Sequence, residues 1–157
     1  MATYTASVGF NRGTAALPAK GLDRESLITV VLDFPKIIAA RLAAGATALA
    51  ASDVLEVLPI PAGTIVRNVG LTVSTVAASG TIAIGDGSAA AGFLAAQAVS
   101  STGVFGGVPV LASGAFAPTL SGGKVYAAAD TIDITIGTAV PAAAVVTVFA
   151  LLMDINA

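Results

Sequence analysis

The chain has no cysteine, no histidine and no tryptophan in 157 residues. Without cysteine there is no disulfide framework, no thiolate metal site and no pointer to a redox compartment. With histidine missing too, the usual general base and the common nucleophile–base pairings are gone. A serine nucleophile would need a lysine base, and Lys20, Lys36 and Lys124 stand in no such motif. Charge is also scarce, at 10% of residues against roughly 25% in ordinary soluble domains. Seven basic residues, with Tyr4 and Tyr126 as the only tyrosines, do not form the basic, aromatic-interleaved patch that nucleic acid requires. A pI near 4.7 opposes nucleic-acid binding further. The missing tryptophan and the apolar context of most of the six phenylalanines argue against a carbohydrate-binding module or adhesin, which presents exposed aromatics.

What fills the chain instead is small and apolar. Hydrophobic residues make up 56%, glycine accounts for 17 positions and aromatics for only 5%. The mean hydropathy of +0.94 therefore reflects alanine and valine more than large side chains. The length suits one body with a real core, but the charges are too few to cover its surface. Residues 1–41 hold five basic against three acidic groups, net +2, and the remainder two against six, net −4. A basic front thus precedes an acidic body. Between Asp86 and Lys124 lie 37 residues without a charge, expected to be loops and short strands packed against the body or a neighbour.

Two uncharged stretches reach membrane-spanning length, but neither reads as a spanning helix. Gly87–Gly123 is punctuated throughout by glycine and proline, and the 18 residues from Ile136 to Met153 contain Gly137 and Pro141 before a β-branched run. The opening residues lack the continuous apolar core of a signal peptide. The expectation is a product that stays, or is assembled, where it is made, with no membrane partner.

Along the chain, residues 1–26 read as an extended arm. SLITVVLDFP follows, a strand with Ile28, Val30, Leu32 and Phe34 on one side, stopped by Pro35. The run from Lys36 holds good helix formers as far as Gly45 and predicts a short helix. From Asp53 the pattern becomes short β segments separated by turns: DVLEVLPIPAG, TIVRNVGLTVSTV, TIAIGDG, KVYAA, DTIDITIG and AVVTVFALLMDI. DTIDITI alternates, with Ile132, Ile134 and Ile136 inward and Thr131, Asp133 and Thr135 on a wet face. VVTVFALLM is apolar on both sides and asks for cover on both. Short strands without an alternating helical series indicate a mainly β fold, an antiparallel β-sandwich or jelly roll with an extended N-terminal arm and one short helix. The organisation expected is 1–52 for arm, strand and helix and 53–157 for the sandwich.

Candidate chemistry is thin. Asp130 and Asp133 could form an acid pair, but residues i and i+3 of a strand point to opposite faces, so Asp130 is read as the strand's start and Asp133 as decoration of its solvent side. IGDG fits neither a calcium loop nor a phosphate cradle and is read as a turn in which glycine and aspartate supply positive φ. Arg67 falls on the same side as Ile65 and Val69, where a guanidinium must reach the rim, pair with an acid or meet a partner chain; the rim is favoured. No catalytic residue, metal ligand or cofactor is assigned, and no enzyme activity is expected.

The order of LAAGATALAASDVLEVLPIPAGTIVRNVGLTV, IAIGDG, KVYAAADTIDITIGTA and VVTVFALLMDI, with LDFP ahead of them, resembles a family of small proteins that tailed bacteriophages encode beside the major capsid protein. The resemblance runs from about Asp33 to Ile155 and is weakest before residue 27. It implies a head decoration or cement protein on the capsid surface of the virion, commonly a homotrimer, made in the host cytoplasm, partnered by the major capsid protein and free of catalytic residues. On that reading Tyr4, Phe10, Arg12, Arg24 and Arg67 are the candidate partner contacts, with the N-terminal arm reaching across a capsomer boundary. A tail, fibre or head-spike component would share the composition and remains the alternative.

Overall fold

The computed structural model describes residues 3–5, 11–12, 25–106 and 123–154, with side chains from residue 25 onward. In chain order the elements are β1 (Thr3–Thr5), β2 (Asn11–Arg12), β3 (Glu25–Asp33), α1 (Phe34–Ala43), β4 (Val54–Ile60), β5 (Thr64–Thr75), β6 (Thr81–Asp86), β7 (Ala89–Ala98), β8 (Gly103–Gly106), β9 (Lys124–Tyr126), β10 (Asp130–Ile136) and β11 (Val145–Asp154).

These strands pair in a nested order. β6 joins β7, β5 joins β8 and β9, β4 joins β10, and β3 joins β11, each pair antiparallel. A long hairpin paired this way and then rolled up gives two sheets. Sheet A runs β1-β4-β10-β6-β7 and sheet B runs β2-β3-β11-β5-β8, with β9 also on β5. This is the expected mainly β sandwich, in jelly-roll order. β1 is the exception to antiparallel pairing, because it lies parallel to β4. β3 sits between β2 and β11 and is a full member of the sandwich.

Alternation explains the core. Ile28, Val30 and Leu32 of β3 face Val146, Val148, Ala150 and Leu152 of β11 and the Ile132, Ile134 and Ile136 row of β10, all buried. A fully buried side chain such as Leu32 contributes about 2 kcal/mol. The β3 row runs on into Phe34, which opens α1. Asp33 caps that helix, its Oδ1 accepting from the Lys36 amide at 3.1 Å, with Pro35 in the first turn. At the other end the Gly45 amide donates to Leu42 O and the Ala46 amide to Arg41 O, with Gly45 at φ +64. This is the doubly bonded stop that glycine favours. Phe34 and Ile37 anchor the helix; Leu42 is 79% exposed.

The uncharged stretch contains more regular structure than its composition suggests. Ala89–Ala98 forms a ten-residue strand although alanine is a weak strand former. Pairing with β6 decides the matter, and Phe93 and Leu94 drop into the core. Residues 107–122 lie outside the described residues. Among the described residues no helix is long and apolar enough to cross a membrane.

Candidate functional site

Arg67 does not share a face with Val69. The β5–β11 register shifts between Leu151 and Leu152, so that Leu151 faces Asn68 while Leu152 faces Val66. Such a bulge reverses the inside–outside phase of a strand. Val69, Leu71 and Val73 are buried on one side of the shift and Val66 on the other, which puts Ile65 and Arg67 on the outer surface of sheet B. There Arg67 Nη1 donates to Glu25 Oε1 at 2.8 Å, with both side chains nearly half exposed. Of the three outcomes open to this guanidinium, pairing with an acid is the one observed.

At one end of the sandwich an inward-facing carboxylate joins the two sheets. Asp86 ends β6 with its side chain fully buried. Its Oδ1 accepts from the Ser88 amide at 2.9 Å, Ser88 Oγ at 2.7 Å and the Ala89 amide at 3.1 Å. Its Oδ2 accepts from Tyr126 Oη at 2.5 Å and from Lys124 Nζ, both on β9 of the opposite sheet. Lys124 Nζ also lies 4.8 Å from the centre of the Tyr126 ring. Burial pushes the Asp86 carboxyl up, but the Lys124, Tyr126 and Ser88 bonds outweigh it and hold the group at about 2. Burial and the Asp86 charge drive the Tyr126 hydroxyl far above its ordinary range.

IGDG is therefore a turn, but not for the expected reason. Gly85, Asp86 and Gly87 are absent from the positive-φ residues. Asp86 closes the turn by accepting from Ser88 and Ala89, and Gly85 is needed for space, since a Cβ there would overlap the Ala89 carbonyl.

That close crossing has a consequence for the outer face of sheet A. Gly85 pairs with Asp133, so the chain at 89–90 walls in the surface beside Asp133. A hollow of about 250 Å³ results, lined by Glu56, Asp130, Thr131, Asp133 and Thr135 among others. The face expected to be wet is thus covered at its middle, where Asp133 is only 5% exposed. Asp130 and Asp133 line the same hollow despite their i, i+3 spacing. Thr131 Oγ1 donates to Asp133 Oδ1 at 2.7 Å, and Glu56 stands directly across the ladder. Burial pushes the Asp133 carboxyl up to about 6; Thr131 opposes this and the Glu56 charge adds to it. Among the described residues no group of three or more carboxylates is placed to hold a metal ion. Two hydroxyls lining the hollow stand against carboxylates, Thr131 on Asp133 and Ser88 on Asp86, and Lys124 Nζ lies 3.2 Å from Ser88 Oγ.

The remaining sequence candidates fall in the N-terminal segment. Tyr4 lies in β1 on the edge of sheet A and Arg12 in β2 on the edge of sheet B; Phe10 and Arg24 lie outside the described residues. The Asp86–Tyr126–Lys124 cluster has no sequence signature, because its partners stand about 40 residues apart and meet only when the sheets close.

No family model matches the sequence, and no curated protein does. Two solved structures share the fold. A chain from the capsid of Ralstonia phage GP4 is similar over 99% of this chain and 100% of its own, with a TM-score of 0.60 at 12% identity. A chain from the cyanophage Pam1 capsid asymmetric unit is similar over 88% of this chain and 91% of its own, with a TM-score of 0.50 at 18% identity. At these identities the likeness is one of fold, spanning this chain end to end in the first structure and most of it in the second.

Proposed function

We propose that the protein is a non-enzymatic structural component of a bacteriophage virion, a decoration or cement protein that binds the outside of the major capsid lattice as a homotrimer and stabilises the head. The observation that carries this reading is the end-to-end match to the GP4 capsid chain, which leaves neither chain with an unmatched domain. Fold alone does not assign function, but two further features agree. The sequence has no histidine or cysteine, and the charge-poor composition suits a subunit that spends its life against neighbours.

In this reading the N-terminal segment is the fastening, with Tyr4, Phe10, Arg12 and Arg24 as contacts and Arg67 as a further one. Short extended segments that bind weakly alone become effective when several act from one oligomer.

Quantitative mass spectrometry of gradient-purified virions tests the proposal. A ratio near one to the major capsid protein, or a fixed fraction matching three-fold positions, supports a cement role. A handful of copies assigns the chain to a tail, fibre or spike, and absence from virions removes the reading altogether.

A further inference from the structure

The node that joins the sheets holds an amine and a carboxyl in contact and fixes both. Lys124 and Tyr126 stand on β9, paired with Val66 and Thr64 of β5 in sheet B. Asp86 closes β6 of sheet A, itself paired with Ala89 while the preceding Gly85 pairs with Asp133. Across the gap Lys124 Nζ touches Asp86 Oδ2, with the aspartate side chain fully buried and the lysine 21% exposed. The carboxyl carbon is one bond beyond that oxygen. Groups oriented and held in this way react as though each were present at about 10⁵–10⁸ M.

The surroundings of Asp86 suit attack on that carbon. Its Oδ1 accepts from the Ser88 amide, the Ser88 hydroxyl and the Ala89 amide, three donors that would also hold the oxyanion of a tetrahedral intermediate. Its Oδ2 accepts from the Tyr126 hydroxyl at 2.5 Å, which puts a proton donor on the oxygen that has to leave. Lys124 Nζ lies 4.8 Å from the centre of the Tyr126 ring and 3.2 Å from Ser88 Oγ, so the ring and the hydroxyl steer the amine onto the carboxyl. Burial disfavours an ammonium facing a carboxylate far more than it disfavours a neutral amide. The hollow of about 250 Å³ reaches Asp86, Gly87 and Ser88 and leaves room for a released water.

We propose that Lys124 and Asp86 condense into an intramolecular isopeptide bond that ties sheet A to sheet B. A proton passes from the Lys124 ammonium to Asp86 Oδ2, and the neutral Nζ attacks Cγ while the Ser88 and Ala89 donors hold the charge on Oδ1. Oδ2 then departs as water, taking a second proton from the nitrogen by way of Tyr126 Oη, which ends as the hydroxyl it began. One C–N bond forms, one C–O bond breaks, one water leaves and the two opposite charges vanish together, so no cofactor or oxidant is needed. The same donors keep Asp86 ionised, which makes the neutral amine–acid pair a minor species and the condensation slow after folding. The ion pair is the precursor. Its product closes the 37 uncharged residues Gly87–Gly123 into a covalent ring, whether or not the chain is built into a virion.

The test is the mass of the full chain, measured under denaturing conditions on folded protein incubated at neutral pH until its mass is constant. Wild type is expected about 18 Da below its sequence mass, the loss of one water, and Lys124→Arg at its full sequence mass. Trypsin digestion of the unfolded chain locates the bond. No lysine or arginine other than Lys124 follows Arg67, so a free Lys124 gives two peptides, 68–124 and 125–157. An acylated Lys124 resists the cut and leaves 68–157 as one piece. Should Lys124→Arg fail to fold, the tryptic map of wild type decides alone. A wild type that stays at full mass overturns the proposal. So does a water loss that persists in Lys124→Arg, or one accompanied by cleavage after Lys124, which would assign the loss to a succinimide at Asp86–Gly87. Absence of the chain from virions would defeat the proposed function and leave this bond standing.

Discussion

Two buried carboxylates, Asp86 and Asp133, pull the protein's acid response in opposite directions. Asp133 has a folded value of about 6 against an ordinary 3.8, so the folded state holds its proton more tightly than the unfolded one. Its favourable contribution is complete below 3.8 and is lost as pH rises through 6. Asp86, at about 2, is the reverse: its contribution is present above 3.8 and is lost as pH falls through 2. Stability measured by urea unfolding should therefore rise by about 1 kcal/mol between pH 7 and 5, allowing for solvent screening, and then fall in stronger acid. Asp133→Asn should abolish the rise and stabilise the protein at pH 8 by a similar amount, since the amide still accepts from Thr131 and no longer opposes Glu56. Asp86→Ala leaves Tyr126 and Lys124 without their buried partner and should cost about 3 kcal/mol at neutral pH. A loss under 1 kcal/mol would mean that the two sheets do not depend on this node.

At the scale of elements, the β6–β7 hairpin shows how much a strand can owe to its partner. Apart from Phe93 nothing in AAAGFLAAQA favours a strand by propensity, yet β7 pairs with β6 from Ala89 to Ala98 because the turn at Asp86 delivers it there. The two glycines of IGDG have different jobs in that turn. Gly85 lies under the crossing chain, while the space around Gly87 is open, with only Asp130 Oδ1 at 4.0 Å from a Cβ built there. Gly85→Ala should cost about 2–3 kcal/mol through overpacking, and Gly87→Ala less than about 0.5 kcal/mol. Paired thermal melts of the two variants check this, and equal losses would refute the close crossing. The helix was easier to read: helix formers from Lys36 and the stop at Gly45 are local signals for a local structure, although α1 opens two residues earlier, at Phe34, with Asp33 as its cap.

For the whole molecule, nested pairing makes the outermost contact also the most distant in sequence. Glu25 pairs with Met153, so nearly the whole chain must be ordered before sheet B is complete. Loop-closure entropy delays such contacts. Stopped-flow refolding should show a main phase on the order of a second, at the slow end for β proteins, with β6–β7 protected from hydrogen exchange before β3–β11. Earlier protection of β3–β11 would contradict that order. The same closure leaves the outer surfaces of the two sheets chemically unlike. Sheet A carries an acidic hollow, and sheet B carries a face of mixed aliphatic and threonine side chains with the Glu25–Arg67 and Asp33–Lys36 ion pairs.

What the sequence determined alone is what depends on neighbours a few residues apart. Strand alternation in β3 and β10, the short helix from Lys36 toward Gly45, the turn at IGDG and the mainly β sandwich class are all set by local sterics and period. The exclusion of histidine and cysteine chemistry is equally final from composition. What only the tertiary structure decided is whatever depends on register and on which strands meet. The bulge that turns Arg67 outward toward Glu25, the covering of Asp133, the length of β7 and the meeting of Asp86 with Tyr126 all arise when strands far apart in sequence are brought side by side. A one-residue shift reverses which face a side chain occupies, and no pattern within a single strand records the register of its partner.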